Sequence, residues 1–169
     1  MWMEKLSQGV LRVLTPLGPR YLNPPFAQRL YPEALQVLAH LQTMGSTVIL
    51  SDGDVVFQPR KIQQSGIWDA VSGRVLIYVH KEQMLQSVEQ RYPARHYVMI
   101  DDKLRILDAI RRQWQDRVTT VFPRQGHYAH DLAAIAALAP ADLTVERIGE
   151  LLNYDARGLL GDEADAAQR

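Results

Sequence analysis

Tyr97-Val98-Met99-Ile100-Asp101-Asp102 is a four-residue apolar run ending in two adjacent carboxylates. A short run of this kind, bounded by polar residues, reads as a strand buried on both faces. Thr47-Val48-Ile49-Leu50 has the same shape and ends in Ser51-Asp52-Gly53-Asp54. Arg74 to Val79 is a third run, followed by His80-Lys81, and Val118 to Phe122 is a fourth. Leu143-Thr144-Val145 is a short fifth.

Helical patterns separate these runs. Pro32 suits a first helical position, and Ala34, Leu35, Leu38 and Leu41 follow at helical spacing before Gly45 supplies a stop. Further helices are expected from Pro59 to Ser65, from Glu82 to Arg91, and from Glu146 to Leu152. A helix from Asp102 to Gln115 would place Ile106, Leu107, Ile110 and Trp114 on one face. Strands alternating with helices imply right-handed crossovers, hence a mainly parallel sheet with helices on both faces. The fold class is α/β.

The 169 residues suit one domain, with an ordinary globular composition of 47% hydrophobic and 22% charged residues. Nineteen Lys and Arg balance nineteen Asp and Glu, so no global field would recruit nucleic acid or an anionic membrane. Cysteine is absent, which excludes disulfides, thiolate nucleophiles and cysteine metal sites. No apolar stretch approaches a membrane span, and the N-terminus lacks the apolar core of a signal peptide. A cytoplasmic protein is expected. Residues 1–30, broken by Gly18, Pro19, Pro24 and Pro25, are poorly patterned, and Gly9 to Leu17 reads equally as a short helix or a strand. The core is expected over residues 31–155 and a frayed tail over 156–169.

In open parallel sheets, functional groups gather beyond the carboxyl ends of the strands. The strand ends here offer Ser51, Lys81 and the pair Asp101-Asp102. A hydroxyl and an ammonium bind phosphoryl oxygens, while paired carboxylates hold a hard divalent cation such as Mg²⁺. Each residue also has a plainer role. Ser51 could cap a turn and one aspartate could cap a helix, but a cap needs only one carboxylate. Lys81 at a helix start opposes the helix dipole.

These residues resemble the haloacid dehalogenase-like hydrolases. Tyr31-Pro-Glu-Ala-Leu-x-x-Leu-x-x-Leu41, Gly45 and Val48-Ile-Leu-Ser51-Asp-Gly-Asp54 resemble the helix leading to that family's second motif, a strand ending in Ser or Thr. Lys81 falls where the third motif places its lysine, although Glu82 rather than the usual proline follows it. Val98-Met-Ile-Asp101-Asp102 resembles the fourth motif. The resemblance implies a Rossmann-like three-layer core and a Mg²⁺-dependent phosphohydrolase acting on a small phosphorylated substrate. It implies that Ser51 donates to a phosphoryl oxygen with backbone N–H groups at Asp52 and Gly53. It further implies that Lys81 neutralises the phosphoryl group, and that Asp101 and Asp102 anchor Mg²⁺. Residues 1–30 would be the remnant of a cap or connecting segment.

One departure is severe. The family's first motif is a strand ending in Asp-x-Asp, whose first aspartate is the nucleophile, and the only acid before Tyr31 is Glu4. Without that carboxylate no phosphoaspartate can form by the family's route. Asp52-Gly53-Asp54 has the Asp-x-Asp shape, but the helix before it matches the approach to the second motif instead. A receiver domain, another acidic-pocket fold, runs its acidic pair before its serine and lysine, the reverse of the order here.

Two readings therefore stand: an incomplete phosphohydrolase, inactive as given, and a non-catalytic binding module of the same fold. The family's first strand lies between those of the second and fourth motifs. Its apparent absence leaves three outcomes: Gly9–Leu17 inserts as a substitute strand, Thr47–Leu50 and Tyr97–Ile100 pair directly, or another chain donates a strand or forms a homo-oligomer; the last two are expected, because Pro16 and Gly18 make the N-terminal segment a poor central strand. His127-x-x-His130-Asp131 could place two histidines on one helix face, but lacks a third metal ligand and reads as a loop. Lys103, Arg105, Arg111 and Arg112 read as a solvated helix face.

Overall fold

The computed structural model describes residues 10–13, 30–52, 62–126, 128–131 and 135–160. Among the described residues six strands carry the architecture: β1 (Val10–Val13), β2 (Ile49–Asp52), β3 (Val75–Tyr78), β4 (His96–Ile100), β5 (Val118–Pro123) and β6 (Leu143–Val145). They form a four-stranded sheet in the order β1-β4-β5-β6 and a two-stranded sheet β2-β3, with every pairing parallel. The α/β, Rossmann-like class expected from the alternation is what the chain adopts.

The N-terminus corrects the sequence reading. β2 and β4 do not close on each other; Val10–Val13 ladders onto β4, with Leu11 opposite Tyr97 and Val13 opposite Met99, and approaches β2 on its other side. Neither direct closure nor a strand from another chain is needed. Pro16 and Gly18 lie beyond the strand's end, and Val10-Leu-Arg-Val13 contains neither a ladder-breaking proline nor a glycine. The first-strand position is thus filled, by a segment with no carboxylate.

The helices are α1 (Ala34–Gln42), the single turn α2 (Ile67–Ala70), α3 (Leu85–Arg91), α4 (Leu104–Trp114) and α5 (Ala156–Leu160). Strand alternation sorts the core into two apolar layers. Tyr97 and Met99 of β4 face Leu85 and Val88 of α3 and Leu107, Ile110 and Trp114 of α4. Val98 and Ile100 face Val37, Leu38 and Leu41 of α1 and the segment from Ile148 to Leu159. Tyr97 and Trp114 stack with ring centroids 4.1 Å apart.

Three elements differ from expectation. The helix expected from Glu82 opens as a 3₁₀ turn, Lys81–Gln83, and becomes α-helical at Leu85. The helix expected from Glu146 is a 3₁₀ segment, Ile148–Asn153. The tail is ordered through Leu160, because Leu159 is fully buried in the second layer. Residues 161–169 lie outside the described residues, as do Gly53 and Asp54. No helix among the described residues is long and apolar enough to cross a membrane.

Candidate functional site

All strands of a parallel sheet present their carboxyl ends to one rim, and the polar strand ends meet there. β2 and β3 are in register with Asp52 opposite Tyr78, so the chain leaving β3 turns beside Asp52. Asp52 Oδ1 accepts the backbone N–H of Lys81 at 3.1 Å and fixes the 3₁₀ turn. The Lys81 side chain then runs inward, fully buried, and its ammonium pairs with Asp101 Oδ2. That direction answers the dipole misfit: the charge is held by a buried carboxylate rather than by a helix end.

Asp101, at the end of β4, is 1% exposed. Its Oδ1 accepts the backbone N–H of Lys103 at 2.8 Å as the chain turns into α4. One member of the acidic pair therefore does the turn-forming work, which leaves Asp102 for another role. Asp102 is half-buried beside it. Burial, and then the neighbouring charge of Asp101, push its carboxyl up to about 6, against the opposing pull of Lys103 and Lys81.

Ser51 is buried at the end of β2, with its hydroxyl 3.3 Å from the carbonyl of Asp52. Lys103 reaches back across the rim to within 3.6 Å of Asp52 Oδ2, and its ammonium lies 4.7 Å over the Tyr128 ring. The structure thus brings Asp52, Lys81 and Asp101 into one bonded group, with Asp102 and Lys103 next in the chain and Ser51 adjacent to Asp52.

The sequence reading missed three contributors: Tyr31, Gly126 and Lys103. Gly126, after β5, has φ +82°, and a Cβ there would collide with the Tyr31 hydroxyl and lie 2.9 Å from Asp102 Oδ2. Burial, and then the Asp102 charge, raise the Tyr31 phenol above its ordinary value. Lys103 was legible only as a charge on α4, since its reach toward Asp52 depends on the turn after β4. His127 lies outside the described residues; Tyr128–His130 forms a 3₁₀ turn. The basic face of α4 is laced with carboxylates: Arg112 to Asp108 at 2.7 Å, Arg105 to Glu82 at 3.8 Å, and Arg111 to Asp142.

Among the described residues no three His, Asp or Glu side chains cluster closely enough to cage a metal ion. The donors present nevertheless fit part of a hard-cation shell. Asp101 and Asp102 offer only oxygen, Lys81 balances the first, and the burial of the second is eased by a cation beside it.

No protein-family profile matches the chain, and no curated protein matches it. Solved structures do match, among them the following two. A protein of Burkholderia xenovorans LB400, described as a haloacid dehalogenase-like hydrolase, is 65% identical with a TM-score of 0.78, over 82% of this chain and 64% of its own. A haloacid dehalogenase-like family hydrolase from Xanthomonas campestris is 20% identical with a TM-score of 0.61, over 83% of this chain and 57% of its own, and shares the fold. This chain therefore spans less than two thirds of the length of either protein. In fold and in sequence the chain resembles a haloacid dehalogenase-like hydrolase.

Proposed function

We propose, on the premise of that likeness, that this chain is the phosphate- and Mg²⁺-binding part of a phosphohydrolase for a small phosphorylated molecule, without turnover of its own. The observation that supports it is the rim itself: a buried hydroxyl, a buried ammonium and two adjacent carboxylates at the ends of β2, β3 and β4. Ser51 donates to a phosphoryl oxygen. Lys81, paired with Asp101, supplies positive charge whose attraction grows as the phosphoryl group gathers negative charge. Asp102, next to Asp101, would hold Mg²⁺. When bound, that ion draws charge from the phosphoryl oxygens.

The missing part is a nucleophile. β1 occupies the first-strand position beside β4, yet its residues are Val10-Leu11-Arg12-Val13, and none can attack phosphorus. That same observation favours a second reading, a binding module that keeps the pocket and no longer turns over. Both predict negligible hydrolysis of p-nitrophenyl phosphate in Mg²⁺. Robust hydrolysis that is abolished by Asp52→Asn and preserved in Asp101→Asn would overturn both and make Asp52 the nucleophile.

A further inference from the structure

Two glycines far apart in sequence each lack room for a Cβ because of the same short turn. At Gly126 the obstacle is the Tyr31 hydroxyl, and at Gly149 it is the Glu33 side chain, whose Cδ would lie at 2.8 Å. The turn that joins these two residues is stiff. Tyr31 precedes Pro32, which restricts its backbone to extended conformations. Glu33 is held left-handed at φ 65°, a conformation that is strained for a residue with a Cβ. Its carbonyl accepts the N–H of Val37 at 2.8 Å, and that of Tyr31 accepts the N–H of Ala34 at 3.1 Å, so the turn is locked onto α1. Strain of this kind persists where the surroundings over-determine it. Its consequence is to seat the Tyr31 hydroxyl against Gly126, on the spot that Asp102 Oδ2 also borders.

We propose that Tyr31 is a positioning residue for Asp102. Its hydroxyl confines the carboxylate at the Gly126 turn, so that Asp102 faces a divalent cation at the rim in one orientation. The inference rests on the assignment of Asp102 as a cation ligand in the proposed function.

A double-mutant cycle tests it, with Mn²⁺ as the probe and the free-ion signal in electron paramagnetic resonance as the readout. Tyr31→Phe keeps the ring and removes only the hydroxyl. It should weaken Mn²⁺ binding about tenfold, the scale of an outer-shell ligand partner, while the urea unfolding midpoint stays in place. In the Asp102→Asn background, already weakened, the same change should have no further effect. Wild-type affinity in Tyr31→Phe, or an equal loss in the Asp102→Asn background, would overturn the positioning role alone. A wild-type chain that binds no Mn²⁺, or Asp102→Asn binding as tightly as wild type, would overturn the cation assignment and the positioning role with it.

Discussion

Replacing Lys81 by Met leaves a carboxylate stranded. Lys81 and Asp101 are both fully enclosed, with side-chain exposures of 0% each. Met retains much of the apolar stem, so the packing loss is small and the perturbation is chiefly electrostatic. Removing one partner of a buried ion pair typically costs about 3–5 kcal/mol, because the remaining charge stays desolvated without a counter-charge. Against a total stability on the order of 5–15 kcal/mol, that is a large fraction. With a urea slope of about 2 kcal/mol per molar, the midpoint should fall by about 2 M. Adding Asp101→Asn to Lys81→Met removes the charge and should recover part of the loss. Urea unfolding of the wild type, Lys81→Met and the double variant at neutral pH decides it. A Lys81→Met loss under about 1 kcal/mol, or a double variant less stable than Lys81→Met, would refute the reasoning.

Two further outcomes follow from neighbouring features. Burial opposes ionisation of Asp142, but the Thr120 backbone N–H, the Thr120 hydroxyl and Arg111 together hold its carboxyl below the usual carboxylate range. Its contribution to stability is therefore present above the unfolded pKa and lost as pH falls through the lower folded one, so the stability gap between wild type and Asp142→Asn should narrow below about pH 4; a gap that widens there would contradict the assignment. Gly126→Ala should cost about 1–2 kcal/mol from its left-handed backbone, plus the collision with the Tyr31 hydroxyl. In the Tyr31→Phe background the part owed to the hydroxyl should disappear while the close approach to Asp102 Oδ2 at 2.9 Å remains; equal losses in both backgrounds, measured by thermal unfolding, would count against the hydroxyl contact.

How much of this was legible in the sequence depended on how local the signal was. The strands at β2 to β6 announced themselves because runs such as Val98-Met-Ile100 are buried on both faces, and nothing but a parallel sheet hides them so. Ser51, Lys81, Asp101 and Asp102 could be named because each sits immediately after such a run. β1 could not be read, since Pro16 and Gly18 dominate its neighbourhood and only its pairing with β4 makes Val10–Val13 a strand. The 3₁₀ segment at Ile148–Asn153 lies against Glu33, more than a hundred residues away, a contact that no periodicity records. Tyr31 and Gly126 were invisible for the same reason: their roles arise where the chain entering α1 crosses the turn after β5.

The central claim, a phosphate and Mg²⁺ pocket retained without turnover, is tested most directly by phosphorus NMR of inorganic phosphate titrated with the full chain. With Mg²⁺ present the phosphate resonance should broaden as it binds. Broadening should diminish on chelation of the metal and in both Ser51→Ala and Asp102→Asn. A resonance unaffected by the wild-type chain in Mg²⁺, or broadened equally by Ser51→Ala and Asp102→Asn, would contradict the account.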